Sequence, residues 1–197
     1  MTLLESILAH NETFVQKQEY GPFSTTKFPN KKLLIVTCMD TRLLKLLPRA
    51  LGLENGDAKV IKNAGAVISH PFGSIMRSII LGIYELQVEE IFVIGHEDCG
   101  MAGLQAKPLL DKVKQQGIDS ACIRTLQQAG IDLSTWLTGF RNVQESVQHG
   151  VELIRQHPLL PSYVPVHGLS IHPTTGSLEV IVEGYYHAHT TSPDINP

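Results

Sequence analysis

The chain has 197 residues, a length that suits one domain. Hydrophobic residues make up 43% and charged residues 18%, the latter below the usual share of about a quarter, so a large core is expected. A net charge of −3 with no long run of either sign excludes an electrostatic footprint for nucleic acid or an anionic membrane surface.

Leu3, Leu4, Ile7, Leu8, Phe14 and Val15 recur at helical spacing, which predicts an amphipathic helix over residues 2–18. The same stretch carries Glu5 and Glu12 and no early Lys or Arg. It does not read as a signal peptide, and a cytoplasmic location is expected. Residues 20–30, with Gly21, Pro22 and Pro29, read as a connector, so 1–30 forms an N-terminal arm ahead of an α/β core over 31–197 in a single domain. Residues 33–37 are apolar and rich in β-branched side chains, as in a strand buried on both faces of a parallel sheet. A weaker strand is expected at 58–62, and a helix over 72–86 opened by Pro71. Residues 91–95 form a second apolar strand. Neither this run nor 33–39 approaches the roughly 20 residues that span a bilayer. Helices are expected over 104–117 and 137–156, with an undetermined stretch between them. Strands at 164–171 and 178–182 are joined by a short polar loop containing Gly176, which suggests a hairpin. The order gives a mainly parallel sheet with one antiparallel edge strand, flanked by helices.

In such sheets, sites form beyond the carboxyl ends of strands. Cys38-Met39-Asp40-Thr41-Arg42 follows the strand 33–37, and His96-Glu97-Asp98-Cys99-Gly100 follows the strand 91–95. If those strands are neighbours, their ends lie about 5 Å apart, and Cys38, His96 and Cys99 converge. Two thiolates and one imidazole fit Zn²⁺, and three protein ligands leave an open fourth position, the mark of a catalytic site. Asp40 and Asp98 are nearby candidates for a fourth ligand. The three cysteines, in a chain with no export signal, do not suggest a disulfide framework. Cys122 reads as an ordinary cysteine. Asp40 and Arg42, two apart, can pair through two parallel hydrogen bonds that keep the carboxylate ionised and aimed. The plainer alternative is a surface ion pair capping the next helix.

These motifs resemble those of the β-class carbonic anhydrases: Cys-x-Asp-x-Arg after one strand and His-x-x-Cys-Gly after another. Lys62-Asn63-Ala64-Gly65-Ala66 resembles the family's basic-Asn-Ala-Gly loop. Val166-His167-Gly168 and Thr175-Gly176-Ser177-Leu178 resemble its last hairpin. The matches run from about residue 33 to 182. The resemblance implies reversible hydration of CO₂ to bicarbonate and a proton by attack of zinc-bound hydroxide. It implies one Zn²⁺ on Cys38, His96 and Cys99, with Asp40 and Arg42 as a paired dyad. It also implies a homodimer or homotetramer in which N-terminal helices pack across the partner. Gly65 and Ala66, being small, are expected to line the substrate pocket. Among the histidines, His70 is the first candidate to carry the proton, with His10 and His167 as rivals. Lys62 stands where many relatives have Arg. Ile35 stands where one subgroup, regulated by bicarbonate, has Trp, so an open site is expected. Two other functions share these residues: hydrolysis of CS₂ or COS on the same zinc, and a non-enzymatic zinc-stabilised binding protein.

Overall fold

A computed structural model of the chain describes residues 1–185. Five strands form one sheet in the order β2-β1-β3-β4-β5. They are β1 (Leu33–Cys38), β2 (Ala58–Asn63), β3 (Glu90–His96), β4 (Val166–Ile171) and β5 (Leu178–Val182). The pairs β1–β2, β1–β3 and β3–β4 are parallel. β5 runs antiparallel to β4 at the edge, so the expected mixed sheet is present.

Alternation along β1 divides the core between two layers. Leu34 and Val36 face Met76, Ile79 and Ile83 of α3 (Ser74–Leu86) and Val147, Val151 and Ile154 of α7 (Val143–Arg155). Leu33 and Ile35 face the opposite layer with Leu43 and Leu47 of α2 (Leu43–Ala50), Ile94, Leu169 and Ile171. β1 is buried at all six positions, as its uninterrupted apolar run requires. Gly95 allows α7 to sit low over β3: a Cβ there would meet Val143 Cγ1 at 2.7 Å and Val147 Cγ2 at 2.8 Å.

The helices depart from expectation in four places. α2 was not expected. Its Leu43 and Leu47 have helical spacing, but Leu44, Leu46 and Pro48 obscure the period in so short an element. The undetermined stretch contains α5 (Ser120–Gln128) and α6 (Leu133–Leu137), begun by the side chains of Asp119 and Asp132. Of the helix expected over 137–156, α7 fills only Val143–Arg155: α6 ends at Leu137, and α7 begins after Asn142, whose side chain accepts from the Glu145 N–H. α4 is Ala106–Gln115, shorter than expected. α1 (Leu3–Gln16) starts on a capping box between Thr2 and Glu5 and buries none of its residues.

Candidate metal centre

The chain passes from β1 to β2 on one side and returns with β3 on the other. The strand order therefore reverses between β1 and β3, where open α/β sheets form crevices at their carboxyl ends. Cys38 is the last residue of β1 and His96 the last of β3. A tight turn with Asp98 in the left-handed region, φ 51°, brings Cys99 back toward them. The ligand atoms of Cys38, His96 and Cys99 lie within 4.8 Å of one another, and all three residues are buried.

The donor set fits a tetrahedral cation. The two sulfurs are 3.9 Å apart, and sulfurs at about 2.3 Å from one tetrahedral ion stand about 3.8 Å apart. His96 Nδ1 lies 2.7 Å from the Glu97 carbonyl, which only accepts, so Nδ1 carries the proton and Nε2 keeps its lone pair. That Nε2 is buried without a hydrogen-bond partner, an orphan that needs explanation in a folded protein. Burial, and further the Cys38 sulfur beside it, push the Cys99 thiol above its ordinary range. A cation bound between the two sulfurs would offset that cost and favour the thiolate form.

Arg42 lies at the start of α2 and holds Asp40 as a fork: Nε donates to Oδ1 at 3.0 Å and Nη2 to Oδ2 at 2.8 Å. The Arg42 backbone N–H also donates to Oδ1, at 2.9 Å. These bonds hold the Asp40 carboxyl down at about 2, so it is an acceptor only. Asp40 Oδ2 stands 3.8 Å from His96 Nε2. Asp98 binds the same guanidinium: Nη1 donates to its Oδ2 at 2.8 Å and Nη2 to its backbone carbonyl at 3.0 Å. Its carboxylate therefore engages Arg42, with the side chain 83% exposed.

Gly65 and Ala66 sit in a short 3₁₀ turn after β2, both buried. The Gly65 N–H donates to Cys38 Sγ at 3.3 Å. With φ at 75°, Gly65 adopts a conformation that side chains resist. A Cβ there would meet Met101 Cγ and Phe140 Cε1, each at 2.9 Å. Met101 and Phe140 thus form an apolar wall against this loop, which the motifs did not reveal. Phe140 fell inside a helix expected to continue through it. It is placed instead by a bridge pairing Ala102 with Phe140. An open cavity of about 790 Å³ adjoins the same loop, bounded by Ala64, Val67, Met101, Leu104 and Trp136, with His70 on its lining.

The candidate proton carriers separate clearly. His70 lies on that cavity, its Nδ1 accepting from the Phe72 N–H at 2.9 Å. His10 lies on exposed α1. His167 pairs with Phe92, four residues before His96 along β3, and is buried against Glu90, 3.0 Å from its carboxylate. It belongs to the other end of the sheet and is not a carrier for this centre. Cys122 is exposed and apart from the cluster. No helix among the described residues is long and apolar enough to cross a membrane.

Comparisons with known proteins show the family of the chain. A family model described as carbonic anhydrase matches residues 33–179. YvdA of Bacillus subtilis (strain 168), which carries a provisional carbonic anhydrase name, is 60% identical over 185 residues, 94% of each chain. A carbon disulfide hydrolase of Acidithiobacillus thiooxidans is 33% identical over 159 residues, 76% of each chain. Among solved structures, β-carbonic anhydrase isoform I of Trichomonas vaginalis superposes with a TM-score of 0.86. It is 37% identical, with 94% of this chain and 100% of that one covered.

Proposed function

We propose, since the chain belongs to the β-carbonic anhydrase family, that it catalyses the reversible hydration of CO₂ to bicarbonate and a proton at a Zn²⁺ ion held by Cys38, His96 and Cys99. The observation that carries this reading is the orphaned, buried Nε2 of His96. It stands beside two sulfurs with an ionised carboxylate 3.8 Å away. A Zn²⁺ there would lower the pKa of a water toward ~7 and so make a hydroxide nucleophile available at neutral pH.

The chain's own residues do the rest. Arg42 keeps Asp40 ionised and turned so that Oδ2 faces the ligand cluster. Asp40 Oδ2, with acceptor capacity left, would accept a hydrogen bond from a protonated oxygen bound beside the cluster and so help to orient it. Gly65 and Ala66, with Met101 and Phe140 packed on Gly65, give a small apolar substrate a surface beside the cluster. The cavity bounded by Met101, Leu104 and Trp136 supplies an apolar approach to that loop. His70 on that cavity is the first candidate to pass the proton to solvent.

The open form of the site, with Asp40 on Arg42 and not on the ion, is the reading that the fork supports. A homodimer or homotetramer is supported by α1, which leaves Leu3, Leu4, Ile7, Leu8 and Val15 exposed. A cytoplasmic location remains the expectation. Stopped-flow CO₂ hydration at pH 8 or above tests the activity: the zinc-loaded protein turns over and the metal-free protein does not. Absence of zinc-dependent hydration rejects it. The similarity to carbon disulfide hydrolases favours CS₂ or COS as the second substrate reading, and hydrogen sulfide release from CS₂ discriminates between them.

A further inference from the structure

Arg42 is held from two sides. One edge of its guanidinium, Nε and Nη2, lies on Asp40. Nη1 donates to Asp98 Oδ2 at 2.8 Å, and Nη2 also donates to the Asp98 carbonyl at 3.0 Å. All three guanidinium nitrogens are engaged. The two contacted segments are the ones that carry the ligands: Asp40 lies two residues after Cys38, and Asp98 lies between His96 and Cys99.

We propose that Asp98 is a positioning residue for the reaction: it anchors the outer edge of the Arg42 guanidinium, so that the inner edge presents Asp40 Oδ2 to the metal position. The inference rests on the proposed role of Asp40 at the nucleophile. An arginine on an exposed helix start has several free torsions, and one carboxylate leaves the plane of its fork free to swing with its partner. A second anchor on the opposite edge removes that freedom. The backbone of Asp98 is arranged for the task. Its φ of 51° lies in the left-handed region, which Asp tolerates better than most side chains, and this turn places both its carbonyl and its carboxylate on Arg42. An isolated exposed ion pair would contribute little. Here the same guanidinium is tied to two carboxylates and a carbonyl, which makes a network that bridges the two ligand segments.

The test compares zinc-loaded wild type with Asp98→Ala and Asp98→Asn. Asn keeps an acceptor oxygen for Nη1 and has similar tolerance of the left-handed turn. The expected results are a fall in kcat/KM of about tenfold for Ala, recovery of most of that loss by Asn, and zinc affinity within about threefold of wild type for both, measured by chelator competition. A readout independent of activity is solvent exchange of the Arg42 Nε proton, followed by ¹⁵N NMR on the zinc-loaded protein, which should quicken in Ala and return toward wild type in Asn. An Ala variant with wild-type kcat/KM and wild-type exchange overturns the inference. So does one that loses zinc in proportion to activity, because Asp98 would then be a structural support of the ligand turn. If zinc-loaded wild type hydrates no CO₂, the functional reading fails, and the exchange measurement still decides whether Asp98 anchors Arg42.

Discussion

Asp40 Oδ2 lies 3.8 Å from His96 Nε2, the ring nitrogen that has no hydrogen-bond partner of its own. The distance is longer than a hydrogen bond. Asp40 Oδ2 accepts one bond from Arg42 and keeps capacity for a second, while the imidazole keeps its lone pair for another partner. A carboxylate set beside the ligand cluster and kept off it by arginine makes chemical sense if a protonated oxygen is to lie between them.

Removing that acceptor should separate catalysis from metal binding. Asp40→Ala is expected to lower kcat/KM for CO₂ hydration by about 10²-fold, in the range lost with a positioned proton acceptor. Zinc content, measured by elemental analysis, should stay at one ion per chain. Equal loss of zinc and activity would place Asp40 among the supports of the metal.

Metal removal should be read in stability as well as activity. An ion that binds only the folded chain contributes about 2.7 kcal/mol when its free concentration is a hundredfold above Kd. At roughly 2–4 °C per kcal/mol for a chain of this size, chelation should lower Tm by roughly 5–10 °C. Cys99→Ser should leave a protein whose Tm no longer responds to the chelator.

The loop beside Cys38 depends on having no side chain at position 65. Gly65→Ala places a methyl against Met101 and Phe140 in a left-handed backbone, a strain of about 1–3 kcal/mol. Thermal denaturation should show a lower Tm. Chelator competition should show weaker metal binding, because the N–H that now donates to Cys38 Sγ would move.

Much of this centre was legible along the chain because β1 and β3 carry uncharged runs rich in apolar residues, 33–37 and 91–95, and these end where the candidate ligands stand. The Cys38, His96 and Cys99 spacing needed only those two strands to be neighbours. Other parts depended on contacts between distant segments. The Arg42–Asp98 bonds join residues 56 apart, and nothing in either motif distinguishes Asp98 as a partner of arginine from Asp98 as a ligand. The Met101–Phe140 wall was hidden by a helical pattern that breaks before Asn142. In that case a local signal did exist: Asn142 followed three residues later by Glu145 is a helix-start pattern.

His167 offers a pH test remote from the metal. Its Nδ1 accepts from the Gly184 N–H. Burial holds its pKa below the ordinary 6.5, against a smaller upward pull from Glu90. The unfolded chain therefore takes up a proton at this site more readily than the folded one. Its contribution to stability is full above about pH 6.5 and falls as pH drops below it, with a slope of at most about 1.4 kcal/mol per pH unit. Urea denaturation at pH 7.5 and 5.5 should show a smaller difference for His167→Gln than for wild type.

The central claim is that Cys38, His96 and Cys99 together hold one zinc ion and leave its fourth position to a small ligand. X-ray absorption at the zinc edge of the loaded protein at pH 8 tests it most directly. Two sulfurs at about 2.3 Å, one nitrogen at about 2.0–2.1 Å and one oxygen are expected. A shell completed by a third sulfur or a second imidazole, or no bound zinc, would contradict it.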